Sequence, residues 1–237
     1  MNAPPDTLRM LASRARTILA AEGPAALLWR GARFSVRLLA KYVVIERLYL
    51  YRIDLAELPP SPDPPRLDAF TTHFLCSNED ADRVVAQGCE DVRERLLGSS
   101  RYLRRGAVAF CGYSGTKLVH VGWLGLSKEA KECFDDVPYA IDFARGDGCT
   151  GGVFTSSEFR GRGLMRYSYS RRLAYLKAHG CVTSRSVMRV GNEPPQRAAS
   201  RTVASTRVRA LHLRLFGWHC LRQASSEEVV PLAGARR

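Results

Sequence analysis

The thirteen-residue stretch Val153-Phe154-Thr155-Ser156-Ser157-Glu158-Phe159-Arg160-Gly161-Arg162-Gly163-Leu164-Met165 sets the tightest limits on what this chain can fold into. An apolar run ends in a polar loop, the loop closes on Arg-Gly-Arg-Gly, and a helical pattern follows at once. Strand, glycine turn and helix start together present free backbone N–H groups to an anion. Gly161 and Gly163 let the main chain turn tightly, with no Cβ between backbone and ligand. Arg160 and Arg162 add positive charge beside the helix dipole. The physical reading is a pyrophosphate cradle; the plainer alternative is a turn whose arginines are solvated. No Gly-Lys-Ser/Thr follows the glycines, which excludes a P-loop, and Arg166 stands where a dinucleotide fingerprint needs its third glycine.

Taken in order, residues 1–57 read as a basic helical extension. Leu27, Leu28, Phe34, Leu38, Leu39, Tyr42 and Ile45 recur at helical spacing among Arg30, Arg33, Arg37 and Lys41, with Trp29 near the start. Two expectations follow: peripheral contact with an anionic membrane, or a helical pair packed on the core. No uncharged run approaches the roughly 20 residues that spanning requires. Arg14, Arg16 and Glu22 interrupt any secretory core, whereas the acid-poor stretch 8–20 is compatible with a transit peptide. The proline-rich segment 58–65 reads as a linker and domain boundary.

The domain at 66–223 alternates strand and helix patterns, with 224–237 as a tail. A strand is expected over 69–75. A helix capped by Ser77 then carries Val85, Cys89, Val92 and Leu96 on one face and closes at Gly98. Paired strands follow at 106–113 and 118–126, then a polar loop or short helix at 127–138. Strands are expected at 139–143 and 149–155 around Gly146-Asp147-Gly148. After the glycine loop, Met165, Tyr169, Leu173 and Leu176 share a helix face ending at Gly180; a strand at 181–190, a helix from Asn192 to about 204 and a strand at 208–216 complete the order. The fold class is α+β, a mixed sheet with helices on both faces.

The net charge of +13 is concentrated: residues 160–237 carry sixteen basic and three acidic side chains. Such a region suits a polyphosphate, nucleic acid or an anionic surface. It holds few aromatics beyond Phe216 and Trp218 and no recognised nucleic-acid motif, so nucleic acid is not the expected partner. The seven cysteines form no C-x-x-C pair and no zinc-type spacing, which points to reduced thiols in a cytoplasmic setting and to no metal.

The segment Arg160-Gly161-Arg162-Gly163-Leu164-Met165 resembles the acyl-CoA-binding signature of the GNAT superfamily of N-acyltransferases, departing from it at Met165, where a small residue is usual. The element order over about 66–223 is also that of GNAT domains. The resemblance implies transfer of an acyl group, acetyl above all, from acyl-CoA to a small-molecule or protein amine by direct attack. It implies that Val153, Phe154 and Thr155 hold the thioester carbonyl and pantetheine arm, and that residues 160–165 hold the pyrophosphate. The helix tyrosine that often protonates the leaving thiolate has no counterpart after Tyr175, which leaves Ser200, Cys220 or water for that role. Candidate bases are His120 and Asp142, each of which also reads as an ordinary structural residue. Glu129, Glu132, Asp135 and Asp136 could attract an amine. The alternative function is a catalytically degenerate acyl-CoA-binding or membrane-associated scaffold, or a basic nucleic-acid-binding module.

Overall fold

The structure, a computed structural model, describes Leu19, residues 23–26, Trp29 and residues 43–233. The chain divides into two compact units. In the smaller, the described residues are Leu19, 23–26 and Trp29, all helical, with 43–45 and Leu213–His219. The larger comprises Glu46–His212 and Cys220–Arg237 and contains the site described below.

Eight strands form one mixed sheet in the order β2-β3-β4-β5-β6-β1-β7-β8. They are β1 (Val43–Asp54), β2 (Phe70–Leu75), β3 (Val108–Ser114), β4 (Lys117–Gly125), β5 (Asp147–Thr155), β6 (Thr183–Arg189), β7 (Ser205–Leu215) and β8 (Trp218–Val230). β2 through β5 pair antiparallel in succession, β5 pairs parallel with β6, and β6 pairs antiparallel with β1. The helices are α1 (Asn78–Ala86), α2 (Val92–Arg95), α3 (Ser99–Arg104), α4 (Lys128–Phe134), α5 (Leu164–Ala178) and α6 (Glu193–Ser200).

Strand alternation builds a core on each face. Val108 and Leu124 point to the side where Tyr169, Leu173 and Leu176 of α5 and Ala199 of α6 pack. Ala109, Cys111, Val121 and Trp123 point the other way, onto Ala81 and Val84 of α1, Leu103 of α3 and Ala130 of α4. β3 and β4 are therefore buried on both faces, in keeping with their largely apolar composition.

Several expectations need correction. Residues 43–54, read as helix, are a strand: buried Tyr49, Tyr51 and Ile53 alternate with exposed Arg52 and Asp54, a period of two that the longer helical reading obscured. Leu27, Leu28, Arg30, Arg33, Phe34, Arg37, Leu38, Leu39, Lys41 and Tyr42, which carried the helical extension and the membrane expectation, lie outside the described residues. The proline-rich segment 58–65 joins two strands of one sheet, with Leu58 packed on the core, and so bounds no domain there. The 224–237 tail begins inside β8.

The helix from Ser77 has the expected cap, with a reciprocal Ser77–Asp80 box, but ends at Ala86 and does not run to Leu96. Gly88 turns into the left-handed region at φ 84°. Asp91 then caps a new short helix through the Arg93 amide at 2.8 Å. Residues 139–143 do not form a strand. The Asp142 carboxylate accepts the Arg145 amide at 3.1 Å and folds the segment into a single 3-10 turn ending at left-handed Gly146.

Candidate active site

The site begins where two parallel strands part. Asp147 ties the start of β5 to β6: its carboxylate accepts from the Thr183 hydroxyl, from Arg185 Nε at 3.2 Å and from the Asp142 amide at 2.9 Å. Burial works against its charge, but these donors outweigh burial and hold the carboxyl below the usual range. The β5–β6 ladder runs only from Asp147↔Thr183 to Cys149↔Arg185. Beyond that, β5 continues to Thr155 on β4, while β6 continues to Arg189 on β1.

A bulge accompanies the parting. Val121 pairs with Phe154 and Trp123 with Gly151, so Gly152 and Val153 together oppose Gly122. Gly152 sits at φ 52°, and an added Cβ there would meet Trp123 Cδ1 at 2.9 Å and Phe134 Cβ at 3.0 Å. Only glycine serves at this point, and the bulge bends β5 and takes its backbone out of the regular ladder.

A cleft of about 390 Å³ opens between the diverging strands. Gly151, Gly152 and Val153 line it from β5, Ser186 and Met188 from β6. Met165, Tyr169 and Arg172, spaced four and three apart on one face of α5, form a further wall. Asp135, Asp136 and Glu46 supply carboxylates to the same cleft. A second cleft of about 830 Å³ adjoins it and shares Val153, Met165, Asn192 and Pro195.

The second cleft lies over the start of α5. Gly163, at φ 81°, is the N-cap, and no side chain caps this end. The first helical hydrogen bond at this end runs from the Tyr167 amide to Gly163 O at 3.1 Å, which leaves the amides of Leu164, Met165 and Arg166 as the unpaired first turn. Gly161 is also left-handed, at φ 77°, and open space surrounds both glycines where a Cβ would stand. Arg160 from the loop, Arg166 from α5, Arg197 from α6 and Arg201 just past its end surround this opening. Two clefts in series, one between splayed strands and one over a bare cationic helix start, suit a long ligand with an anionic end.

The structure brings most of the residues of the sequence-derived cradle to the two clefts. Val153, Thr155, Arg160, Gly161, Gly163, Leu164 and Met165 line the clefts. Phe154 does not: strand alternation turns it to the other face, under Arg95 at 5.6 Å. Arg162 does not either, and its guanidinium lies over the Phe159 ring at 5.4 Å.

The two candidate bases lie outside the clefts. His120 is fully buried on β4, its Nδ1 2.8 Å from the Thr155 hydroxyl. Burial, aided by the positive charge of Arg172, pushes its pKa down to about 3, so the ring is neutral and a weak base. Asp142 is exposed, engaged with Arg145 at 3.4 Å and capping its turn. Ser200 donates to Arg197 O at 3.1 Å within α6, and neither it nor Cys220 of β8 lines a cleft.

Sequence reasoning passed over Arg172, Tyr169, Ser186 and Glu46. An arginine within a helix reads as solvated, yet Arg172 is 1% exposed. Asp135 and Asp136 were singled out only as part of an acidic loop; α4 directs them to the cleft, whereas Glu129 and Glu132 stay outside it. Asp135 forms a buried pair with Lys131 at 3.7 Å. Burial raises its carboxyl pKa despite the lysine. Among the described residues, no helix is long and apolar enough to cross a membrane, and no cluster of three or more His, Cys, Asp or Glu side chains could hold a metal ion.

Fold and clefts together define an α+β protein with an uncapped, arginine-flanked helix start beside a split parallel strand pair. No protein-family model matches the chain, and no curated protein matches it. Solved structures do. One is a chain from Novosphingobium aromaticivorans assigned to the GNAT family of acetyltransferases, with 16% identity over 78% of this chain and 69% of that one, at TM-score 0.48. Another is a GCN5-related N-acetyltransferase from Kribbella flavida, with 16% identity over 78% and 64% of the two chains, at TM-score 0.41. A third, from Sphaerobacter thermophilus, is also GCN5-related, with 13% identity over 83% and 56%, at TM-score 0.44. Many of the similar structures are GCN5-related N-acetyltransferases of the GNAT superfamily. This chain spans between 56% and 69% of the length of the three named here.

Proposed function

We propose that this protein transfers an acyl group, acetyl in the simplest case, from acyl-CoA to an amine. The observation that carries the reading is the pair of adjoining clefts. The bare first turn of α5 and Arg160 and Arg166 suit the pyrophosphate. Arg197 and Arg201 extend the cationic surface across the same opening. The bulge at Gly152 and Val153 offers backbone outside the regular ladder to the pantetheine arm and thioester carbonyl.

In this reading the amine approaches from the side of Asp135, Asp136 and Glu46. Its nitrogen attacks the thioester carbon. As the N–C bond forms and the C–S bond breaks, a carboxylate takes the proton from nitrogen and CoA leaves as the thiolate. Asp135 is best suited to receive that proton, because it lines the cleft and burial raises its carboxyl pKa, which makes it a stronger base. His120 and Asp142 have no part in this scheme.

Calorimetric titration with acetyl-CoA tests the reading. Wild-type protein should bind it, and Gly163→Asp should abolish binding while the circular dichroism spectrum stays native. The aspartate puts a negative charge where the phosphates would sit, in otherwise open space. Equal affinity in the variant would refute the cradle.

A further inference from the structure

The cleft between β5 and β6 has walls of opposite charge, and its cation is unusually placed. Arg172 is 1% exposed. Its Nη1 donates to Trp123 O at 3.1 Å and Gly151 O at 3.5 Å, which anchors the guanidinium beside the bulge. Its Nε and Nη2 have no protein acceptor, and among the described residues it forms no salt bridge. Gly122 makes room for it: a Cβ there would stand 2.7 Å from Nε and 2.8 Å from Cζ. Two further buried polar groups of the same cleft, the Tyr169 hydroxyl and Ser186 Oγ, lie beside each other, with Thr150 also next to the phenol, and none is tied to a charged group. A buried guanidinium without a counter-charge is costly in a folded chain. The idle Nε/Nη2 edge is the planar fork that matches the two oxygens of a carboxylate. On another wall stand the carboxylates of Asp135, Asp136 and Glu46; Lys131 pairs with Asp135 at 3.7 Å and Arg189 with Glu46 at 2.6 Å, and Asp136 adds the further negative charge suited to an ammonium group.

We propose that Arg172, Tyr169 and Ser186 form a carboxylate subsite, and that the acyl acceptor is an amino acid. Its carboxylate lies on Arg172 and its amino group faces the acidic wall. The inference rests on the acyl-transfer reading and narrows its acceptor. A zwitterion satisfies both walls at once, which neither a simple alkylamine nor an uncharged sugar amine does. The subsite also explains why α5 carries an arginine where Leu173 and Leu176 beside it are plain core residues.

The test uses the full-length protein in two arms, after acetyl-CoA binding has been measured by calorimetry. The first arm compares a panel of amino acids with their α-amides as acceptors. The second compares succinyl-CoA with acetyl-CoA as donors. Each is repeated with Arg172→Lys and Tyr169→Phe, whose folding is checked by circular dichroism. The wild-type comparison stands by itself should Arg172→Lys fail to fold. At least one amino acid should exceed its amide by about 10-fold or more in kcat/KM, the scale of one charge-assisted hydrogen bond. That preference should shrink in both variants, because lysine keeps the charge but not the fork. Acetyl-CoA binding with no discrimination in either arm, or discrimination that survives Arg172→Lys, overturns the subsite and leaves acyl transfer standing. An Arg172-dependent preference for succinyl-CoA alone overturns the amino-acid acceptor and puts the carboxylate on the donor. Absence of acetyl-CoA binding removes the acyl-transfer reading itself, and this inference with it.

Discussion

Gly152→Ala is the sharpest probe of how the cleft is made. Gly152 sits at φ 52°, where an L side chain costs about 1–2 kcal/mol. Its Cβ would also stand 2.9 Å from Trp123 Cδ1 and 3.0 Å from Phe134 Cβ. The first neighbour is a buried indole ring and the second lies on the last residue of α4, so neither yields as a flexible side-chain end would. Overpacking of this kind adds about 1–3 kcal/mol, for a total near 3 kcal/mol. At roughly 2–4 °C per kcal/mol for a domain of this size, the melting temperature should fall by about 6–12 °C. Gly161→Ala is the control, since Gly161 is left-handed at φ 77° but has open space around it, so it bears the backbone cost alone. Urea titrations followed by tryptophan fluorescence should place the Gly152→Ala midpoint below that of Gly161→Ala, with similar slopes. Equal midpoints would refute the packing of the bulge against Trp123 and Phe134. Because the bulge shapes the cleft, Gly152→Ala should also weaken acetyl-CoA binding in whatever fraction stays folded.

Two further outcomes test the buried charges. His120 titrates near 6.5 when unfolded but only at about 3 when folded, so between those values the unfolded chain binds the extra proton. Its contribution is therefore complete above about 6.5 and is lost as pH falls toward 3, at up to about 1.4 kcal/mol per pH unit; His120→Gln should flatten that slope in urea midpoints measured against pH, and an unchanged slope would show that the ring is not buried neutral. Lys131→Met should cost about 3–5 kcal/mol in chemical denaturation, because it strands a carboxylate whose side chain is 6% exposed, whereas Lys131→Met with Asp135→Leu should recover most of the loss; a double variant weaker than the single would refute the pairing.

Local chemistry made much of this protein readable before any tertiary structure. Ser77 with Asp80 announced α1, Gly163 announced the start of α5, and the apolar runs at 106–113 and 118–126 announced the central strands. The glycine turn was legible for the same reason, since a left-handed glycine N-cap and its arginines are close together in the chain. The strand β1 was not, because Ile45, Leu48, Tyr49 and Ile53 fall at steps of three and four that fit a helix, and only pairing with β6 selects the period of two. The walls of the cleft were hidden more deeply. Arg172 reads as a solvated helix arginine until Gly122, fifty residues earlier, is seen to leave space for its guanidinium. Asp135 reads as a wet loop residue until α4 turns it toward strands that part beyond Cys149. His120 and Asp142 attracted notice by residue type alone, but burial depresses the basicity of the first and a turn occupies the second. Charge, caps and glycines act over a few residues and are written in order along the chain. Which buried polar atoms share a cleft is decided by contacts between segments far apart in it, and only the folded sheet brings those together.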